Sequence, residues 1–298
     1  MGGLLGWSEL MLALLLIFSM QTGVKKAKYL CCVKNSVKLL LIHRLSLIPS
    51  CFSLFILIKS GSVNAGRPLD CSYIRTVSPT GASGVYGIQP EGFRNSFKAY
   101  CEMGRNGIWT VIQKRTGGAV AFDREWAAYK NGFGFASWDH WLGLEKISAM
   151  TKNKSKRWKL RVDLWDFEGG NAYAEYEDFR LGDESTNYRL SVGRYSGTAG
   201  DAIRGAYPGV DQNGYGFSTS DHDSDGCNPC IFGDIATNSC TDSKRGGWWY
   251  SKCGSAGLNG DWHPKGGNIG WSSGLHWLTW KGPAPYSAKA TRMMITPM

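Results

Sequence analysis

The sequence predicts an α+β domain that is rich in turns, with antiparallel strands, short helices and stapling disulfides. Its 298 residues include 39 glycines and 13 tryptophans but only 19% charged residues. This composition favours an irregular fold around a large core over a helical bundle. Apolar and polar residues alternate in several short runs, as they do in half-buried strands. Six cysteines lie in the same part of the chain, an even number typical of an oxidising compartment.

Strands are predicted where the alternation is clearest. These segments are residues 96–101, 109–113, 158–164, 171–180, 188–192 and 293–295. In 158–164 the even-numbered positions are apolar and the odd-numbered positions are charged, which gives the strand one core face. A short helix is predicted to start near Phe122, with Asp123 as its N-cap. After Gly193 glycine becomes more frequent, so little regular structure is expected before 293–295.

Residues 1–66 differ from the rest and are assigned to a separate N-terminal segment. They contain two apolar runs, 10–20 and 45–58, and either run fits a secretory signal. Val63 and Ala65 suit the −3 and −1 positions of a signal-peptidase site. This pattern predicts a secreted protein, with a retained membrane anchor as the alternative.

Two classes of function are disfavoured. Of the net charge of +10, residues 1–66 carry +6, and the remainder has no run of lysine or arginine, so nucleic-acid binding is not expected. Residues 270–274 match the G-x-S-x-G pattern of serine hydrolases. No acid occurs after Asp261, however, and the only later histidine is His276, so no catalytic triad follows.

The segment Asp221-His-Asp223-Ser-Asp225-Gly226 is the strongest candidate for a metal site. Three carboxylates at alternate positions before a glycine offer hard oxygen ligands in a turning loop, as calcium requires. An EF-hand is excluded because Phe232 occupies the twelfth position, where a bidentate glutamate is needed. The alternative interpretation is a solvated acidic turn.

Four cysteines follow this acidic segment. Cys227 and Cys230 have the close spacing of a zinc knuckle, but Cys240 and Cys253 are 13 residues apart and form no second one, so zinc is disfavoured. Tryptophans accompany them at positions 248, 249, 262 and 271, and these side chains either line a pocket or belong to the core.

One glycosylation sequon occurs, Asn153-Lys-Ser155. It lies in a polar stretch rich in lysine, which predicts a surface loop. A glycan at Asn153 would fit a secreted protein.

From Leu69 to Met298 the chain resembles the fibrinogen-related family. The matching motifs, in family order, are Asp70-Cys71, Ser83–Tyr86 with Ile88–Pro90, Tyr100–Met103, Trp109–Arg115, Phe122–Arg124, Tyr129–Gly134, Trp141–Ile147, Trp248-Trp249, Leu258–Gly260 and Trp277–Lys281. Within that family, the Cys227–Cys230 insertion and the ending Tyr286–Met294 look most like the angiopoietin-like branch.

The resemblance implies a fibrinogen C-terminal-like domain over residues 67–298. Such a domain has a central antiparallel sheet, short helices and a loop-rich C-terminal subregion, and it is a non-catalytic recognition module. The family disulfides map to Cys71–Cys101 and Cys240–Cys253. Cys227 and Cys230 have no common counterpart and pair either with each other or with another chain.

The resemblance also implies a Ca²⁺ ion in the C-terminal loops. In the family pattern the ligands would be the carboxylates of Asp223 and Asp225 and the backbone carbonyls of Cys227 and Pro229. Asp221 would support the site from outside its ligand shell.

A ligand pocket is expected beside this calcium site. Its family positions map to Lys252, Cys253, Gly254, Trp271 and Ser272, with a cis peptide bond between Lys252 and Cys253. Members that bind acetyl groups have a histidine at the position of Gly254. Its absence predicts weak binding of acetylated sugars, and Gly254→His is expected to restore a hydrogen-bond donor.

These observations predict a secreted, angiopoietin-like ligand that binds a cell-surface or extracellular protein through calcium-shaped loops. The alternative is a calcium-dependent lectin of the ficolin type that recognises acetylated glycans, and a third possibility is a matrix or clotting-type structural protein. The sequence shows no coiled-coil or collagen-like stalk. Oligomers through Cys31, Cys32 or Cys51 therefore remain an open alternative.

Overall fold

Most of the alternating segments lie in one nine-stranded antiparallel sheet. The structure, a computed structural model, describes residues 67–77, 81–104, 107–232, 235–244, 246–265, 273–282 and 286–298. These residues belong to one structural unit, Ala65–Met298. The N-terminal segment 1–66, with its predicted signal runs and cleavage site, lies outside the described residues, and so do Trp271 and Ser272.

The regular elements are short. In chain order they are α1 (Cys71–Val77), β1 (Gly84–Ile88), β2 (Phe97–Gly104), β3 (Gly107–Arg115), α2 (Trp126–Asn131), β4 (Phe133–Gly134), β5 (His140–Trp141), α3 (Leu144–Thr151), β6 (Trp158–Trp165), β7 (Asn171–Tyr176), β8 (Arg180–Leu181), a 3₁₀ helix (Glu184–Thr186), β9 (Leu190–Ser191), β10 (Tyr195–Gly197), β11 (Cys230–Phe232), β12 (Ile235–Thr237), α4 (Cys240–Lys244), β13 (Ala256–Gly257), β14 (His276–Trp277) and β15 (Ala290–Pro297).

The C-terminal strand β15 lies in the middle of the sheet. The strand order is β1-β2-β3-β15-β6-β7-β10, and β5 pairs with β3 and with β4. Met293 is opposite Gln113 of β3 and Val162 of β6, so the last strand completes hydrogen bonding between two earlier parts of the chain. In the described part of the chain, the two halves of the sheet therefore pair with each other only through the C-terminal strand.

The main core joins one face of the sheet to the C-terminal loops. In β6 the side chains of Trp158, Leu160 and Val162 are buried, as the alternating pattern predicted. They belong to the same core cluster as Trp248 and Trp249 from the loop-rich region. The hydrophobic effect therefore stabilises the sheet together with the loops that carry the predicted site.

Helix α2 begins later than the sequence predicted, and it has a different cap. Its N-cap residue is Glu125, whose side chain makes no capping hydrogen bond, so the predicted capping role of Asp123 is wrong. The backbone N–H of Trp126 instead donates to Oδ1 of Asp221, at 2.8 Å. The distant acid takes the place of a local cap because the two segments pack together.

Three disulfides staple the described part of the chain. Cys71 in α1 is joined to Cys101 in β2, and Cys240 at the start of α4 is joined to Cys253, which are the two pairings that the resemblance implied. Cys227 is joined to Cys230. This resolves the open alternative for the last pair in favour of a bond within the chain.

Regular structure is sparse between β10 and β15, in agreement with the glycine-rich sequence. The strands in this region have two or three residues each, and α4 has five. Of the helices in the described ranges, none is both long and apolar enough to cross a membrane.

Candidate calcium loop and adjacent pocket

The acidic segment begins with a tight turn that fixes Asp221. Thr219 and His222 exchange backbone hydrogen bonds, with N···O distances of 2.8 and 3.1 Å. Oδ1 of Asp221 accepts from the Thr219 hydroxyl at 2.7 Å and from the backbone N–H of Trp126 at 2.8 Å. Asp221 thus joins the loop to helix α2.

A second set of contacts holds the loop against helix α2 and against Asn187, the residue that follows the 3₁₀ helix. The ring of His222 stacks on Trp126, with 3.9 Å between the ring centroids. Its Nε2 is 3.0 Å from Oδ1 of Asn187, and Nδ2 of Asn187 donates to Oγ of Ser224 at 2.9 Å. Sequence reasoning missed Asn187, because it lies 35 residues before His222 and belongs to no local motif.

Asp223 and Asp225 line one surface depression. The depression has a volume of about 360 Å³ and is lined by residues 223–228. Asp223 is exposed, and its Oδ1 accepts a hydrogen bond from the backbone N–H of Asp225 at 3.0 Å. Desolvation first, and then the negative charge of Asp225, raise the pKa of Asp223 above its ordinary value. A cation in the depression would relieve this repulsion.

Asp225 has a structural role in addition to its place in the depression. Its side chain is 1% exposed. Oδ2 accepts from the backbone N–H of Cys240 at 2.7 Å and from the Ser239 hydroxyl at 3.2 Å, while Oδ1 accepts from the N–H of Cys227 at 3.0 Å. One carboxylate therefore ties the acidic loop to both neighbouring disulfides.

The remaining predicted ligands are backbone carbonyls that follow Asp225. Cys227 lines the depression, whereas Pro229 follows just beyond the lining residues. Gly226 has a φ of 75°, and a Cβ there would lie 3.0 Å from the Tyr215 ring, so this turn requires glycine. The structure thus brings Asp223, Asp225 and Cys227 together around one depression, with hard oxygen donors of the kind that calcium binds.

The segment Lys252–Gly254 departs from the prediction. The described residues have a cis peptide bond at Asn228–Pro229 and none at Lys252–Cys253, so the cis bond expected there is wrong. Lys252, Cys253 and Gly254 instead have φ values of 44°, 67° and 65°. Three successive residues in the left-handed conformation turn the chain here. The disulfide of Cys253 holds this reversed segment in place.

Gly254 has no room for a side chain. A Cβ at this position would lie 2.3 Å from Nε2 of Gln212. Gln212 is fully buried, and its amide both donates to and accepts from the backbone of Ala256. In this conformation a histidine at position 254 would collide with the Gln212 amide, so the structure argues against the expected gain of a donor from Gly254→His. Gln212 itself carries no sequence signal that would have identified it.

The tryptophans have separate roles. Trp248 and Trp249 are buried in the core, and Nε1 of Trp249 donates to the Tyr188 carbonyl at 2.8 Å. Trp262 packs on Gly118 and donates to the Lys289 carbonyl at 2.9 Å. The backbone N–H of Lys252 donates to the Asp225 carbonyl at 3.2 Å, so the reversed segment does adjoin the acidic loop.

The sequon residue Asn153 lies on the surface. Its side chain is exposed, and Oδ1 accepts from the backbone N–H and the hydroxyl of Ser155 at 3.0 and 2.7 Å. The position is accessible for the predicted glycan.

The sequence of this chain is similar to a known family model and to curated proteins. Residues 67–298 match the family model of the fibrinogen beta and gamma chains, C-terminal globular domain. Angiopoietin-2 of Bos taurus is 42% identical over 216 residues, which are 72% of this chain and 40% of the relative. Angiopoietin-1 of Mus musculus is 38% identical over 255 residues, which are 85% of this chain and 48% of the relative. The chain thus spans less than half the length of these curated relatives.

Solved structures agree with the sequence relatives. The fibrinogen-like globe domain of human ANGPTL2 has a TM-score of 0.67 at 36% identity, covering 77% of this chain and 99% of that domain. Lamprey fibrin D-dimer, solved with the peptide Gly-His-Arg-Pro-amide, has a TM-score of 0.67 at 27% identity, covering 97% of this chain and 92% of the lamprey chain. With its sheet, its disulfides and the match of residues 67–298 to the family model, this chain belongs to the family of the fibrinogen beta and gamma C-terminal globular domain.

Proposed function

We propose that this chain is a secreted, non-catalytic, angiopoietin-like ligand that binds a cell-surface or extracellular protein through calcium-shaped C-terminal loops. The observation that carries the proposal is the depression at residues 223–228, which Asp223 and Asp225 both line. The comparisons with angiopoietins and with the ANGPTL2 domain support a ligand role for the domain. Three disulfides and the exposed sequon at Asn153 support secretion.

The surface beside the depression suits a protein partner. The ribbon formed by β11 and β12 starts at Cys230, two residues after Asn228, the last lining residue. Ile231 on this ribbon is 68% exposed, although its side chain is apolar. An apolar side chain next to charged loops and on a disulfide-anchored ribbon is typical of a protein interface, where an apolar centre has a polar rim.

The loop contacts explain how calcium would act on this surface. An ion held by Asp223 and Asp225 would bind the folded loop and not the unfolded chain, so it would stabilise the loop conformation. Because the Asp225 carboxylate accepts hydrogen bonds from the N–H groups of Cys227 and Cys240, a fixed Asp225 would also fix the positions of these two cysteines. The ribbon at Ile231 then has a fixed position relative to the acidic loop.

Recognition of acetylated glycans has less support. At Gly254 the buried Gln212 fills the space that a donor side chain would need. The lectin alternative therefore lacks the group that would orient an acetyl carbonyl at this position.

The proposal is tested by the binding of the secreted full chain to cultured cells and to immobilised N-acetylated sugars. We expect saturable, calcium-dependent cell binding that Ile231→Asp reduces at least tenfold. Val85→Asp is the matched control. Val85 is an apolar residue on β1 that is 40% exposed, and it is far from the acidic loop in the sequence. Equal loss in both variants would contradict a site on the ribbon, and strong sugar binding without cell binding would favour the lectin.

A further inference from the structure

The two disulfides behind the acidic loop lie in direct contact. Sγ of Cys240 is 3.7 Å from Sγ of Cys227 and 3.6 Å from Sγ of Cys230. The four Sγ atoms of Cys227, Cys230, Cys240 and Cys253 all lie within 4.8 Å of one another. A thiolate formed at either Cys227 or Cys230 would therefore already touch a sulfur of the second disulfide.

Access to this four-sulfur cluster is one-sided. Cys227 is half-buried, and its neighbours Gly226 and Asn228 are exposed. Cys230, Cys240 and Cys253 are fully buried. An external thiol would reach the cluster at Cys227 first, because thiol–disulfide exchange requires the attacking sulfur to touch the disulfide.

We propose that the cluster is a thiol–disulfide exchange relay, in which reduction of Cys227–Cys230 opens the buried Cys240–Cys253 disulfide. An extracellular dithiol would attack Sγ of Cys227, and Cys230 would leave as a thiolate. The second thiol of the dithiol would then release Cys227. The dithiol is oxidised to its disulfide, and two electrons have passed to the Cys227–Cys230 pair.

The second step is internal and needs no further reductant. The thiolate of Cys227 or Cys230 attacks Sγ of Cys240, the S–S bond of Cys240–Cys253 breaks, and Cys253 takes the electron pair and becomes the thiolate. A proton from solvent neutralises Cys253. One disulfide breaks as another forms, so the step is redox-neutral.

The contacts of Cys253 give this exchange a structural consequence. Cys253 is the central residue of the left-handed segment Lys252–Gly254, whose unusual φ values are sustained by the disulfide and by packing. Lys252 donates to the Asp225 carbonyl, so release of Cys253 would loosen the reversed segment beside the acidic loop. Reduction of the accessible Cys227–Cys230 disulfide would thus change the conformation of the segment beside the acidic loop. It requires no bound calcium.

Two single substitutions in the full chain test the relay without any reductant. Cys227→Ser leaves Cys230 as a free thiol, and Cys230→Ser leaves Cys227 free. Each variant is alkylated in the presence of chelator, and the labelled cysteine is identified by peptide mapping. We expect Cys253 to carry the label in a fraction of the molecules on the order of one half, because the attacking and leaving groups are both protein thiols. The partner of Cys240 should then be Cys230 in the first variant and Cys227 in the second. Label confined to Cys230 in one and Cys227 in the other would overturn the proposal.

The wild-type chain supplies a second arm that depends on no substitution. Brief treatment with limiting dithiothreitol, followed by alkylation, should label Cys253 while Cys71 and Cys101 remain unlabelled, which also reports that the domain has stayed folded. The double variant Cys227→Ser, Cys230→Ser is the control, and its Cys253 should be labelled at least tenfold more slowly. Equal labelling rates of Cys253 in the two proteins would overturn the relay, since the buried disulfide would then react directly.

Discussion

At the scale of single residues, two aspartates of one motif have different roles. Asp223 and Asp225 are indistinguishable in the alternating acidic pattern, and both were predicted as calcium ligands. In the structure Asp223 is exposed, whereas Asp225 is buried and accepts from the N–H groups of Cys227 and Cys240. The sequence could not separate them, because the donors that define the role of Asp225 include a residue 15 positions away.

This difference predicts unequal effects on stability in the absence of calcium. Asp225→Ala would leave buried N–H donors unpaired, which should lower the free energy of unfolding by about 2 kcal/mol. Asp223→Ala removes an exposed carboxylate that Asp225 repels, so the change should stay within about 0.5 kcal/mol. Denaturant unfolding in chelator, with the disulfides intact, measures both values. Similar losses in the two variants would show that the assigned roles are wrong.

At the scale of elements, the sequence predicted the strands better than the turns. The alternation of β6 gave its buried face correctly, since pleating alone determines that pattern. Helix α2 was misplaced because its first N–H is satisfied by Asp221 and not by Asp123. The segment Lys252–Gly254 was expected to turn through a cis bond, and nothing local indicated that the backbone would use three left-handed residues.

The reversed segment makes a testable prediction at Gly254. Gly254→Ala combines a positive φ with a Cβ that would meet Gln212 at 2.3 Å. Gly169→Ala is the matched control, because Gly169 has a φ of 91° and nothing within 4 Å of the added atom. Both should lose about 1 kcal/mol or more to backbone strain, and overpacking should cost Gly254→Ala roughly 2 kcal/mol in addition.

Thermal and denaturant unfolding of both glycine variants measure this difference. A loss no greater at Gly254 than at Gly169 would mean that Gln212 moves aside easily. The segment would then be adaptable, and a larger side chain at position 254 would again become possible.

At the scale of the whole molecule, family motifs identified the fold, but the sequence did not reveal how distant parts meet. Nothing in the pattern of residues 293–295 indicates that β15 lies between β3 and β6. The pairing of Cys71 with Cys101 followed from the resemblance. The contact between the Cys227–Cys230 and Cys240–Cys253 disulfides could not be predicted, because sequence spacing carries no information on how two disulfides pack.

The acidic loop lies at a junction between several parts of the domain. Asp221 joins it to α2, Asp225 joins it to both neighbouring disulfides, and the Asp225 carbonyl accepts from Lys252. A ligand that binds this loop would therefore stabilise the folded domain as a unit. We propose that calcium is such a ligand and that Asp223 is one of its contacts.

The most direct test compares the melting temperature in calcium and in chelator for the wild type, Asp223→Asn and Asp221→Asn. Calcium at 100 times its Kd should stabilise the wild type by about 2.7 kcal/mol, or roughly 5 to 10 °C for a domain of this size. Asp221→Asn should lower the melting temperature in chelator but keep the calcium-dependent increase, because Asp221 supports the loop through Trp126 and Thr219. Asp223→Asn should lose most of that increase. An unchanged wild-type melting temperature in calcium, or a full increase retained by Asp223→Asn, would contradict the account.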